Sequence, residues 1–191
     1  GKSTKFSRMH GFLTEKQKCD SIWIRNEKME FIMKITILSV GKSKEKYWND
    51  AIAEYVKRLS RYCKLELVEV ADEKTPDGAS EKLEEQIKRK EGQRVLDKIP
   101  ADAYVLALAI EGKMPDSVGL SRKLERLGIE GKSHLVFVIG GSLGLAKEVL
   151  DRADEKISFS AMTFPHQLMR VILLEQIYRS YRIMNGEPYH K

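Results

Sequence analysis

A glycine-rich loop is the first part of the chain whose residue types and spacing could bind a ligand. The run GGSLG at residues 140–144 directly follows the apolar run LVFVI at residues 135–139, which predicts a buried strand. Because glycine has no Cβ, such a loop lets the backbone approach a ligand and direct amide groups toward it. The spacing is neither a dinucleotide fingerprint nor a Walker loop, since Gly140 and Gly141 adjoin and no Gly-Lys-Ser/Thr follows. A tight strand-to-helix turn explains the run equally well.

Two more segments with small or hydroxyl residues lie at the ends of predicted strands. Residues 111–114 (EGKM) follow the apolar run 104–110, and residues 158–164 (SFSAMTF) lie at the end of the last predicted strand. In open α/β sheets, ligands bind outside the carboxyl ends of the strands. We therefore predict one pocket built from three strand ends. Taken singly, Phe159, Met162 and Phe164 are more simply explained as core residues.

Charged and polar side chains on the last predicted helix could act beside this pocket. His166 and Arg170 are four residues apart, so they share a helix face near the predicted pocket. Glu175 and Arg179 have the same spacing, and a surface salt bridge explains them better than catalysis. For the terminal Tyr-His-Lys at residues 189–191, a frayed tail is the simpler interpretation.

The elements that must position these residues alternate between strands and helices. The apolar run 104–110 has the composition of a strand covered on both faces. We predict an α/β domain with a mostly parallel sheet and helices on both faces. The predicted strands are 34–40, 65–70, 104–110, 135–139 and 157–160, and the predicted helices are 48–62, 80–99, 117–127, 146–153 and 165–184.

Composition excludes several classes of protein. No apolar run reaches the roughly 18 residues that a membrane span needs, and no signal-peptide core is present, so a cytoplasmic protein is expected. The two cysteines and four histidines have no zinc spacing, and we expect no metal. The net charge of +6 argues only weakly for RNA binding, because half of it falls in residues 1–32. The basic segment 165–191 is a better indication of RNA binding.

Residues 1–32 do not fit the strand–helix order. They are polar and have no strong hydrophobic period, and the pattern changes at Met33. We interpret them as an N-terminal extension that comes from upstream sequence or from cloning. The folded domain is predicted to span residues 33–191.

From Met33 onward the chain resembles the ribosomal large-subunit pseudouridine methyltransferase H family, which is part of the SPOUT class. The most specific run is SAMTFPHQ at residues 160–167, in register with IGGS at 139–142 and the YHK end. Other matching runs are 44–48, 91–94, 108–113, 175–179 and 188–190.

The resemblance implies a fold, a methyl donor and partners. The fold would be a SPOUT domain whose C-terminal part forms a trefoil knot, working as a homodimer. S-adenosyl-L-methionine would lie in the knot, with no metal. The residues implied to contact it are Leu108, Gly140, Gly141, Phe159, Ser160, Ala161, Met162, Thr163 and Phe164.

The implied reaction transfers a methyl group to N3 of a pseudouridine in 23S rRNA of the ribosome (helix 69, family position 1915). The N3 imide proton must leave, so a base or a cation near that nitrogen would help. The candidates for this role are His190, Tyr189 and Arg170, and the candidates for phosphate contacts are Arg170, Arg179 and Lys191. Two alternatives stay open: a SPOUT enzyme that methylates a ribose 2′-OH or another base, and a ribosome-binding protein without enzymatic activity.

Overall fold

A computed structural model describes residues 32–189 of the chain. Apart from Ile32, the predicted N-terminal extension lies outside the described residues, as do the candidate residues His190 and Lys191. The strands are β1 (Lys34–Val40), β2 (Lys64–Val70), β3 (Tyr104–Lys113), β4 (His134–Ile139) and β5 (Glu155–Ile157). The helices are α1 (Lys46–Leu59), α2 (Glu81–Leu96), α3 (Ser117–Ile129), α4 (Lys147–Arg152) and α5 (His166–Met184).

The strands form one sheet in the order β2-β1-β4-β3-β5, and every pairing is parallel. The α/β class and the parallel sheet predicted from the sequence are therefore confirmed. The central strands β1 and β4 are buried along nearly their whole length, as strands covered on both faces are. The edge strand β2 is largely exposed, and its Leu67 side chain faces solvent.

Two apolar clusters cover the two faces of the sheet, because successive side chains of a strand point to opposite sides. On one face, Ile35 and Ile37 pack with residues of α1, α3 and α5. On the other face, Leu38 and Val40 pack with residues of α2 and α4. The helices therefore cover both faces, as predicted. The long helix α5 contributes Leu173, Leu174 and Ile177 to the first cluster, and all three are fully buried.

Two predicted strands had wrong boundaries. The last strand runs over Glu155–Ile157 instead of residues 157–160, and it ends at Ile157 because the Ser158 hydroxyl donates to the Ser160 carbonyl and the backbone turns there. Strand β3 continues to Lys113 instead of ending at Ile110, because Lys113 pairs with Ile157. The segment predicted as a loop after β3 therefore belongs to the sheet.

The backbones of β3 and β5 approach each other closely at Gly112. A Cβ on this glycine would lie 2.6 Å from both the backbone nitrogen and the carbonyl carbon of Ile157, so a side chain cannot be accommodated without moving backbone. The end of β5 therefore packs directly against β3 at this point.

Candidate functional site

A cavity of about 490 Å³ lies at the carboxyl ends of β3, β4 and β5 and at the start of α5. Its walls include residues 108–110, 139–144, 157–160 and 162–166. The three strand ends predicted from the sequence are therefore brought together, although residues 111–114 are not part of the lining. Of the predicted cofactor-binding residues, all except Ala161 line the cavity.

The glycine loop forms one wall because its backbone folds back on itself. A Cβ on Gly140 would lie 2.8 Å from the carbonyl carbon of Gly144, which leaves no room for a side chain. Gly141 pairs with Gly144 through a backbone bridge, and Gly144 has a φ of +82°, a conformation that favours glycine. The loop is thus a tight turn and a cavity wall at once.

The segment between β5 and α5 forms another part of the wall. The Ser160 hydroxyl accepts a hydrogen bond from the Met162 backbone N–H at 3.0 Å, which fixes the turn. Beyond it, the side chain of Met162 is 72% exposed and that of Phe164 is 38% exposed. Large apolar side chains at a cavity mouth provide surface that a bound ligand could cover.

Arg170 lies behind the cavity wall and is buried, with 3% of its surface exposed. Its guanidinium donates to the Glu69 carboxylate at 2.5 Å, to the Val40 carbonyl at 3.3 Å and to the Gly41 carbonyl. Arg170 does not line the cavity. This placement argues against the predicted contact of Arg170 with RNA phosphates and its predicted role at the reacting base. The guanidinium is buried, and its two terminal nitrogens are bonded to protein oxygens, while its Nε has no partner within residues 32–189. Helical spacing indicated the correct face of α5 but not the depth of this side chain.

Replacing Arg170 by glutamine is expected to lower the free energy of unfolding by about 2–4 kcal/mol, because carbonyl groups and a carboxylate lose their buried partner. Urea denaturation followed by circular dichroism measures the change. Lys46→Gln is the control, since the Lys46–Asp50 pair is largely exposed and its loss is worth about 0.5 kcal/mol or less. Equal losses in the two variants would contradict the structural role of Arg170.

The predicted tail residue Tyr189 lies on the outer side of α5, away from the cavity lining. Its hydroxyl is 3.3 Å from the Glu175 carboxylate, and its ring packs edge-on against Tyr178. Arg179 bonds the same carboxylate at 2.7 Å and lies 4.6 Å from the centre of the Tyr189 ring. Burial raises the pKa of Tyr189, so the phenol stays protonated at neutral pH. Within one chain, these residues form a cluster separate from the cavity.

His166 is a cavity residue that the sequence interpretation placed near the pocket without assigning it a specific catalytic or binding role. It begins α5 and lines the cavity. Its Nε2 atom lies 3.4 Å from the point that a Cβ on Gly41 would occupy, and the Asp72 carboxyl carbon lies 3.6 Å from the same point. Burial and then the Arg170 charge lower the pKa of His166, while the Asp72 carboxylate opposes them. The imidazole is therefore neutral at neutral pH.

Two further features bear on the kind of site. Residues 32–189 contain no group of three or more His, Cys, Asp or Glu side chains that could hold a metal ion. In the same part of the chain, no helix combines the length and apolar character that a membrane crossing requires.

A parallel sheet with a cavity at the carboxyl ends of its strands defines an α/β protein of the ligand-binding type. A family model described as predicted SPOUT methyltransferase matches residues 33–190. The chain belongs to the SPOUT methyltransferase family. A solved structure described as a putative methylase family protein from Neisseria gonorrhoeae has a similar fold, with a TM-score of 0.50 and 13% identity. It aligns with 86% of this chain and 89% of that protein.

Curated relatives place the chain more narrowly within that family. It is 65% identical over 159 residues to a protein of Bifidobacterium adolescentis named ribosomal RNA large subunit methyltransferase H. A protein of Clostridium novyi with the same name is 64% identical over 159 residues. Each alignment covers 83% of this chain and 100% of the relative.

Proposed function

We propose that this protein is an S-adenosyl-L-methionine-dependent methyltransferase that methylates N3 of a pseudouridine in 23S rRNA of the large ribosomal subunit. The observation that carries the proposal is the cavity at three strand ends, whose walls contain the GGSLG loop and most of the SAMTFPHQ run. The names of relatives that are 64–65% identical to this chain over their full length support the RNA substrate.

The cavity suits a molecule with an apolar ring and a polar end. A volume of about 490 Å³ and a mostly apolar lining are typical of small-molecule sites. Leu108 and Phe159 offer apolar surface for a purine ring, while Ser142 and Thr163 offer hydroxyl groups. The Gly140 backbone can approach the ligand because no Cβ intervenes. When bound, S-adenosyl-L-methionine supplies a methyl group activated by its sulfonium charge.

We further propose that the protein acts as a homodimer and that Arg179 and Lys191 contact RNA phosphates. Support for the homodimer comes from Tyr189, which lies outside the cavity of its own chain yet belongs to one of the matching runs. Arg179 is only partly buried, so its guanidinium can share its donors between Glu175 and a phosphate.

Two measurements test the function. Calorimetry is expected to show binding of S-adenosyl-L-methionine, whereas a ribosome-binding protein without activity would take up none. Mass spectrometry of 23S rRNA nucleosides from a strain lacking the gene is expected to show loss of 3-methylpseudouridine, restored by the intact gene. Loss of a ribose-methylated nucleoside instead would favour the 2′-O-methyltransferase alternative.

We also propose that residues 1–32 are dispensable for this function. The family match begins at residue 33, and Met33 is the first residue of the described apolar cluster. A chain starting at Met33 is expected to melt within a few degrees of the full chain, because it keeps every residue of the described core. A scan in the presence and absence of S-adenosyl-L-methionine measures this. A large drop in melting temperature, or a lost shift with the donor, would contradict the proposal.

A further inference from the structure

We propose that His166 is the proton acceptor of the reaction and takes the imide proton from N3. This inference rests on the proposed function. Of the other candidates, Arg170 is buried and bonded, Tyr189 would reach a cavity only in the partner subunit, and His190 lies outside the described residues.

The cavity lining singles out His166. Among the described residues that line the cavity, it is the one with a side chain that can exchange a proton near neutral pH. The remaining lining residues are glycine, serine, threonine, proline and apolar residues. A base must lie within hydrogen-bond reach of the proton it removes, directly or through one water. A reaction carried out in this cavity thus has one candidate of suitable chemistry within the described chain.

One edge of the imidazole faces Gly41. The Nε2 atom lies 3.4 Å from the position that a Cβ on Gly41 would occupy, and Gly41 has a φ of +83°, a conformation that favours glycine. The Gly41 carbonyl is in turn held by Arg170. In the part of the chain that the structure describes, no hydrogen bond or ion pair joins Asp72 to the ring, but the Asp72 charge favours the protonated imidazole that forms when His166 accepts the proton. Asp72 would therefore stabilise the product of the proton transfer.

The charges around His166 keep it able to accept a proton. Burial and the Arg170 charge lower its pKa, and Asp72 raises it. Glu69 is paired with Arg170. Burial raises the pKa of Glu91, and the charge of Asp72 raises it further, while a hydrogen bond from the Glu73 backbone opposes both. Because its pKa is lowered, the imidazole is unprotonated at neutral pH and can accept a proton. It loses this ability only when the pH falls below its pKa and the ring becomes protonated.

In the proposed step the N3–H bond breaks, its proton moves to a ring nitrogen of His166, and its electron pair stays on N3. That pair forms the new bond to the methyl carbon while the carbon–sulfur bond breaks and its electrons return to sulfur. The positive charge that begins on the sulfonium ends on the imidazolium, which then releases its proton to water.

Activity and its pH dependence test the role of His166. His166→Gln is expected to lower kcat about 100-fold or more at pH 7.5, with the Kd for S-adenosyl-L-methionine changed less than threefold. As the pH increases, the wild-type kcat should rise with the deprotonation of one group whose pKa is below 6.5. This acidic limb of the pH–rate profile should disappear in His166→Gln. His134→Gln is the matched control, because His134 lies at the opposite end of β4, bonded to Thr36, and should keep the wild-type rate.

A titration of the free protein gives a readout that does not depend on activity. In NMR spectra, the His166 ring should titrate below pH 6.5, and Asp72→Asn should move the titration to lower pH, because a carboxylate that raises the pKa is removed. The acidic limb of the rate should move with it. An unchanged kcat in His166→Gln, or a loss confined to donor affinity, would overturn the proposal. A wild-type product methylated at another atom would overturn the proposed function. In that case, the agreement between the acidic limb of the pH–rate profile and the NMR titration would still test His166 as the base.

Discussion

Replacing Gly140 by alanine is expected to weaken binding of S-adenosyl-L-methionine at least tenfold, and Gly140→Val to abolish it. A Cβ at this position would lie 2.8 Å from the Gly144 carbonyl carbon and 3.1 Å from the Leu145 nitrogen, so the turn must open. A tenfold loss corresponds to about 1.4 kcal/mol of binding free energy, which a distorted wall readily removes. Isothermal titration calorimetry measures the Kd, and circular dichroism checks the fold.

The control for this experiment is Gly92→Ala in α2. Its Cβ would lie 2.6 Å from the Ala146 Cβ, so this variant also strains the packing, but Gly92 does not line the cavity. Gly92→Ala should lower the melting temperature, while its Kd for S-adenosyl-L-methionine stays within about twofold of the wild-type value. This result would separate an effect on the site from a general loss of stability. Wild-type affinity in Gly140→Val would remove the glycine loop from the binding site and leave it as a plain turn.

Removing residues 188–191 is expected to stop methyl transfer while binding of S-adenosyl-L-methionine persists. The cut leaves Glu187 in place, whose carboxylate bonds Arg61 and Tyr62, so the end of α5 stays anchored. We propose that the removed tail completes the active site of the partner subunit in the homodimer. A group needed mainly in the transition state affects kcat without affecting donor affinity. We therefore expect kcat to fall about 100-fold or more, with the donor Kd within twofold.

Mixing two inactive proteins tests whether the tail acts across the dimer. One protein lacks residues 188–191 and the other carries Gly140→Val. In a mixed dimer, one site combines an intact glycine loop with a tail from the other subunit. With equal amounts and full exchange, activity should return to about a quarter of the wild-type value, because about half of the dimers are mixed and each has one complete site. If mass spectrometry verifies exchange and no activity returns, the tail does not act across the dimer.

The sequence predicted the parts of the fold that depend on local patterns. The buried strands followed from apolar runs, and the pocket at three strand ends followed from what comes after those runs. The end of β5 was misplaced because Ser158 and Ser160 have hydroxyls that bond the nearby backbone, which a strand pattern does not reveal.

The parts that could not be predicted depend on residues distant in the chain. The burial of Arg170 results from carbonyls at Val40 and Gly41 and from Glu69, more than 100 residues earlier. The position of Asp72 beside His166 has the same origin. A helical period reveals which residues share a face but not what that face meets. The sequence did contain one signal for His166, since it directly follows the segment that ends the last strand.

The strand order has a consequence for the time at which this protein can fold. Strand β4 lies between β1 and β3, although it is made after both of them. Until residues 134–139 leave the ribosome, the growing chain holds β1 with β2 on one side and an unpaired β3 on the other. Joining Lys34 to its partner His134 closes a loop of about 100 residues, which makes such pairing intrinsically slow. The sheet therefore becomes continuous only late in synthesis, and helix α5, made last, closes the cavity over it.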